Sequence, residues 1–248
     1  MAADGRRHVL AIGGTGGPED TGTTANGVPL FFAYAARLAG SQSPKICIIN
    51  TASGDDAGGL VKTYSRLAAM PARISHLQLF PLPNVADPAA LLLDQDVIFV
   101  GGGSVANLAA VWRVHGLDQI MRNAWQAGIV LAGVSAGAIC WFGGGTTDSF
   151  GLDLRPFTDG LAMLPGSYCP HYNTESLRRP LYQRLVGDGT LADGIACDDG
   201  AGAHFVDDEL AEIVADRPDA YGYRVQRSAP GVALETTLPV SRLDDAVG

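Results

Sequence analysis

Basic residues, cysteines and long apolar runs are all scarce in this chain, and each shortage removes a class of function. Lysine and arginine total 17 against 26 aspartates and glutamates, a net charge of −9. A surface of that sign gives no footing for sequence-independent binding to nucleic acid or to an anionic membrane. The longest apolar runs, 128–132 and 97–100, are strand-sized and far too short to span a bilayer. The four cysteines, Cys47, Cys140, Cys169 and Cys197, are widely scattered, with no C-x-x-C pair. Neither a zinc site nor a disulfide framework is suggested, so no metal or cofactor is expected. A reducing cytoplasm is the simplest setting. The opening MAADGRRHVLAIGG has two arginines but no following apolar stretch of leader length, and it reads as the approach to a first strand. No G-K-[ST] occurs, so there is no P-loop. The stretch 13–22, GGTGGPEDTG, has Gly14 and Gly16 but Glu19 where a third glycine belongs, with Pro18 inside the motif. The dinucleotide fingerprint therefore fails. A flexible loop near the site, serving as a lid, is the expectation for this stretch.

What is present is a core. The chain is 47% hydrophobic and 17% charged over 248 residues. Apolar strands are expected at 8–13, 45–50, 75–80, 96–100 and 128–132. Helices are expected at about 28–40, 57–70, 104–113, 117–127 and 136–142. Strands that are apolar throughout and alternate with helices indicate a mostly parallel, doubly wound sheet covered on both faces. One α/β domain over 1–248 is expected, because no repeat or low-complexity linker interrupts the chain. After residue 143 the glycine-, threonine- and aspartate-rich stretch reads as a long surface excursion. A strand into a Pro170-His171 corner follows, then a helix at about 174–187 with Thr174 as its cap. Short strands and hairpins fill 194–198, 202–206, 209–215, 221–228 and 231–236, and 244–248 is expected to fray.

The stretch that organises the rest is IVLAGVSAGAICW, 129–141. It reads as a buried strand, a glycine turn and a helix, with Ser135 at the bend. Gly133-Val134-Ser135-Ala136-Gly137 is G-x-S-x-G, the nucleophile elbow, and the flanking strand and helix give it the right context. In a chain with 32 glycines the same five letters also arise as an ordinary turn with a serine cap. Serine needs a base. Of five histidines, His171 follows a strand end, at the sheet edge where open α/β folds place their sites. The orienting acid should lie near both in space, and Asp148 sits in the excursion between them. Asp148 is the first choice, and Asp153, Asp159 and Glu175 stay open. Gly101-Gly102-Gly103 follows the strand VIFV and can present a backbone N–H beside that of Ala136, an oxyanion pair.

Taken together, VGGGSVANLAAVW, GLDQIMRNAWQAGIVLAGVSAGAICWF, TTD, LPGSYCPHY and IACDDGAGAHF resemble the dipeptidase E (aspartyl dipeptidase) family of serine peptidases. The resemblance covers most of the chain. It implies a class I glutamine-amidotransferase-like fold with serine in place of cysteine, and cyanophycinases as relatives. It matches Ser135 to the nucleophile, His171 to the base, Asp148 in TTD to the acid, and Gly102 and Ala136 to the oxyanion donors. Family members often carry asparagine directly after the three glycines, whereas this chain has Ser104. The family's preference for an N-terminal aspartate implies an arginine clamp. Arg178 lies nearest the matching position, with Arg179 and Arg155 open. The expectation is a cytoplasmic serine exopeptidase that hydrolyses short peptides, dipeptides with N-terminal aspartate, through a Ser-His-Asp triad and an acyl-enzyme; its partner is a small peptide, with a homodimer left open. A cyanophycinase-like or broader small-peptide hydrolase or esterase is the alternative, and a non-catalytic metabolite-binding scaffold a third reading.

Overall fold

A computed structural model of the chain describes residues 2, 4–16, 21–151 and 153–243. The strands are β1 (His8–Ile12), β2 (Lys45–Ile49), β3 (Arg73–Leu77), β4 (Val97–Val100), β5 (Val130–Val134), β6 (Gly144–Thr147) and β7 (Arg155–Phe157), continuing with β8 (Ser167–Cys169), β9 (Gly194–Cys197), β10 (Ala201–Val206), β11 (Glu209–Ala215), β12 (Gly222–Ala229), β13 (Val232–Thr237) and β14 (Val240–Arg242). The helices are α1 (Leu30–Ala39), α2 (Ala57–Leu67), α3 (Pro88–Leu93), α4 (Val105–His115), α5 (Leu117–Gln126), α6 (Ala136–Ile139) and α7 (Arg178–Asp188).

The main sheet has eight strands in the order β14-β11-β10-β1-β5-β4-β2-β3. From β3 to β1 every neighbouring pair is parallel, and β10 then joins β1 antiparallel. Both faces are covered, and alternate residues show it. Val9 and Ala11 point into a core with Trp112, Met121 and Trp141, while Leu10 and Ile12 point into a core with Phe31, Tyr34 and Leu67. This two-sided burial is why these strands are apolar at every position. The fold is α/β with a large, mostly parallel sheet flanked by helices and late antiparallel hairpins, β10–β11 and β12–β13.

A second sheet of six strands runs in the order β13-β12-β9-β8-β6-β7. It corrects two expectations. The excursion after 143 is strand at β6 and β7, not loop, because its threonines pair with 155–157. The strand that leads to His171, β8, belongs to this second sheet, so His171 does not stand on the same sheet as the serine. The chain crosses from the second sheet to the main one in three residues, Asp198-Asp199-Gly200, between β9 and β10. That crossing is what brings the two sheets' edges to one place. Ser104, set where asparagine was the comparison, caps α4: its Oγ accepts from the Asn107 N–H at 3.1 Å. The expectation of fraying at 244–248 lies outside the described residues.

Candidate active site

The site is built on the β5–α6 bend. Gly133 and Gly137 let strand and helix touch. A Cβ on Gly133 would stand 2.0 Å from the Gly137 carbonyl oxygen, and one on Gly137 2.4 Å from that of Val100. Ser135 between them has φ 55° and ψ −115°. Such a conformation costs a non-glycine residue about 1–3 kcal/mol and persists only where its surroundings hold it. Here the Ser135 N–H donates to the Ile12 carbonyl at 3.0 Å, and its carbonyl accepts from Ala138 and Ile139. The helix is shorter than expected, ending at Ile139. Ala136 is its first residue, so its N–H falls among those left without an intrahelical acceptor. Gly102 lies against the bend, where an added Cβ would be 3.2 Å from Ser135 Cβ.

From the second sheet, β8 delivers His171, itself at φ 53°. Its Nε2 is 2.9 Å from Ser135 Oγ and its Nδ1 is 2.6 Å from Asp199 Oδ1. Asp199 is fixed further. Thr174 Oγ1 donates to its Oδ2 at 3.0 Å, its N–H donates to Asn173 Oδ1 at 3.0 Å, and its carbonyl accepts from Arg217 Nε at 3.1 Å. Burial works to raise the Asp199 carboxyl. The hydrogen bond and charge of His171, the Thr174 hydroxyl and the Arg217 charge outweigh that and hold it below the usual carboxylate range. A cleft of about 630 Å³ opens over Ser135, lined by Thr15, Gly16, Gly102, Gly103, His171 and Thr174 among others. Among the described residues no cluster of three or more His, Cys, Asp or Glu is arranged to hold a metal ion.

The acid beside His171 is therefore Asp199, not Asp148. The Asp148 side chain is 60% exposed and 4.0 Å from Arg178, whereas that of Asp199 is 8% exposed. Asp159 is bound by both Nη atoms of Arg113, Asp153 is exposed in the excursion, and Glu175 accepts from Arg178 Nε at 2.6 Å. Asp199 lay in IACDDG, where an aspartate before glycine reads as a turn former. Its signal was a short strand on each side, which puts the turn at a sheet edge.

The arginines differ from expectation as well. Arg178 has a side chain only 3% exposed and is enclosed by Glu175 and by the Thr146 carbonyl at 2.7 Å. Arg179 pairs with Glu235 and stacks over Tyr172 and Tyr223, with its charge centre 5.2 and 4.9 Å from their ring centroids. Arg155 begins β7 and is exposed. None of the three lines the cleft over Ser135. In the 13–22 stretch, Thr15 and Gly16 line the cleft, and Gly14 pairs with Asp199 by a β-bridge. The Gly13 N–H donates to the Ala201 carbonyl and that of Gly22 to Asp216 Oδ2, and the part of the lid expectation on 17–20 lies outside the described residues.

Residues 22–213 match peptidase family S51. The chain belongs to this family. It is 42% identical over 212 residues to the uncharacterized peptidase YgaJ of Bacillus subtilis (strain 168), covering 85% of this chain and 90% of that protein. A peptidase E of Shewanella denitrificans is 32% identical over 98 residues, 39% of this chain and 42% of that one. Two solved structures share the fold. A peptidase from an acI-B1 actinobacterium has a TM-score of 0.65 at 18% identity, covering 94% of this chain and 98% of that one. A putative peptidase E of Listeria monocytogenes EGD-e has a TM-score of 0.59 at 14% identity, covering 94% and 100%. The protein is a peptidase, and its substrate is a peptide. Among the described residues of the peptidase no helix is long and apolar enough to cross a membrane.

Proposed function

We propose that the protein is a serine peptidase of short peptides, acting through Ser135, His171 and Asp199. The observation that carries this is the unbroken chain from Ser135 Oγ to His171 Nε2 at 2.9 Å and from His171 Nδ1 to Asp199 Oδ1 at 2.6 Å, open to a cleft. Ser135 Oγ attacks the peptide carbonyl carbon while His171 Nε2 takes its proton. The N–H groups of Gly102 and Ala136 receive the developing oxyanion. The tetrahedral adduct collapses, the C–N bond breaks, and the proton on His171 goes to the departing amine. Water, deprotonated by the same imidazole, then cleaves the acyl-enzyme. Asp199 stays ionised throughout, holding the imidazole tautomer and stabilising the imidazolium. Its lowered pKa suits that role.

A cytoplasmic dipeptidase preferring N-terminal aspartate is the finer expectation, and it needs a cation at the acyl side. The enclosure of Arg178 by Glu175 favours the second reading, a small-peptide hydrolase without that preference. A dipeptide panel separates them. Asp-X turned over far faster than Ala-X, with the advantage lost in Arg178→Ala, supports the first; equal turnover supports the second. The serine mechanism itself is tested by Ser135→Ala and by labelling of Ser135 with a fluorophosphonate. Turnover retained by a folded Ser135→Ala protein removes the proposal.

A further inference from the structure

Thr174 stands where a helix cap would stand, but α7 begins four residues later, at Arg178, and its start carries no side-chain cap. Thr174 instead lines the cleft, and its hydroxyl reaches Asp199 Oδ2 at 3.0 Å. This matters because a carboxylate turns easily about its terminal torsion, which is broad rather than three-fold. One hydrogen bond from His171 to Oδ1 does not fix the plane of the group. A second, to Oδ2, does. Asn173 holds the backbone of the same residue from its N–H. Gly14 lies against the other oxygen, Oδ1, and the imidazole bound to it. A Cβ there would stand 1.9 Å from Asp199 Oδ1 and 2.6 Å from His171 Nδ1. The Gly14 carbonyl also accepts from Gly200 N–H at 2.7 Å, which clamps it in place. The imidazole–carboxylate pair is thus packed against a bare Cα at Oδ1 and bound by a hydroxyl at Oδ2.

The geometry points to Thr174 as a positioning residue for the hydrolysis: with Gly14 packed at Oδ1, its hydroxyl at Oδ2 sets the plane of Asp199 and thereby the direction in which His171 faces Ser135. This rests on the reading of Ser135, His171 and Asp199 given above. A misdirected imidazole lowers the rate of every step that moves a proton and leaves the peptide's contacts with the cleft intact. A merely structural hydroxyl would change stability instead.

The test compares Thr174→Val, Thr174→Ser and Gly14→Ala with wild type on one turned-over dipeptide. It measures kcat, KM, the rate of Ser135 labelling by a small uncharged fluorophosphonate, and the thermal midpoint. Thr174→Val is expected to lower kcat about ten- to a hundredfold with KM within about twofold, the size of effect that a small misplacement of a reacting group produces. Labelling should fall in parallel, because the reagent reports on Ser135 activation without the peptide. Thr174→Ser should recover kcat to within about threefold, and Gly14→Ala should lose at least as much as Thr174→Val. Should Thr174→Val fail to fold, Thr174→Ala is judged by the same numbers. Wild-type kcat and labelling in the hydroxyl-free variant overturn the inference. So does a loss confined to KM, or a serine variant as slow as the valine one. If wild type is not labelled at Ser135, the reading of the site is itself wrong and the inference goes with it.

Discussion

His171 and His204 are both imidazoles tied into hydrogen-bond chains that reach a carboxylate, one beyond the C-terminal end of β1 and one beside its N-terminal half, where His204 pairs with Leu10. Beyond the C-terminal end of β1, His171 links Ser135 to Asp199, with its side chain 22% exposed to the cleft. At the other end, His8 Nδ1 lies 3.0 Å from His204 Nε2, His204 Nδ1 lies 2.9 Å from the Tyr34 hydroxyl, and Tyr34 donates to Glu212 at 2.8 Å. One consistent assignment has each group in that chain donating to the next. His204 is only 4% exposed. Burial first, and then the His8 charge, push it down to about 4, so it is neutral at physiological pH. The parts are alike and the settings differ. Strained backbone, a serine hydroxyl and open solvent space surround His171, whereas His204 is buried, stacked on His8 and edged by Tyr34, whose hydroxyl it bonds. Hydrogen bonds to a histidine therefore do not mark a reactive site; an accessible nucleophile beside the histidine does.

The sharpest break of this contrast is at Ser135. Ser135→Ala is expected to lower kcat by about 10⁴-fold or more with the thermal midpoint little changed, since removing one triad member leaves only oxyanion-type acceleration. Asp199→Asn comes next, with a loss of about 10³–10⁴-fold measured on the same dipeptide. Asp148→Asn, at the exposed position, should stay within about threefold; a larger loss there than at Asp199 would reverse the assignment of the acid.

At the buried end the readout is stability. The His204 pKa is depressed in the fold to about 4 from an ordinary 6.5, so below pH 6.5 the unfolded chain takes up a proton that the native one refuses. Stability from this group is present above 6.5 and falls as pH drops toward 4, by an amount on the order of 3 kcal/mol. Asp198 and Asp216 act the other way. Burial raises both to about 6, so the native chain binds protons more readily between pH 6 and 3.8, and their contribution rises as pH falls through that range. A folded His204→Gln protein isolates the first effect: its stability relative to wild type should grow as pH falls from 6.5 to 4, followed by denaturant midpoints. Its turnover at neutral pH should match wild type within about threefold. A loss of kcat as deep as that of His171→Gln would erase the distinction between the two histidines. At the elbow glycines the readout is again stability. Gly133→Ala should cost about 1–3 kcal/mol of stability, because its Cβ has no room against the Gly137 carbonyl and strand and helix must part.

Much of this molecule is written locally. The five parallel strands announce themselves because burial on both faces demands apolar residues at every position. The bend at Ser135 does so because only glycine permits a strand and a helix to approach that closely. The three glycines after β4 are readable as a strand-to-helix turn, and Gly103 at φ 136° takes a backbone conformation that other residues rarely adopt. The acid is not readable in this way. Asp148 lies in the excursion between serine and histidine and in the TTD that resembles the family's acid, yet β6 and β7 carry it to an exposed position beside Arg178. Asp199 is 28 positions beyond His171 in the chain and 2.6 Å from it in space. The sheet crossing at 198–200 places it there, and no periodicity records that. Thr174 reads as a cap from its neighbours and proves to be a partner of Asp199. Arg178 reads, by the resemblance, as a clamp for a substrate carboxylate and proves to be buried against Glu175. Elements follow from short-range pattern, since burial and backbone sterics act on adjacent residues. Which polar groups meet is decided where two sheets join, because hydrogen bonds and ion pairs act over about 3–4 Å whatever the separation along the chain.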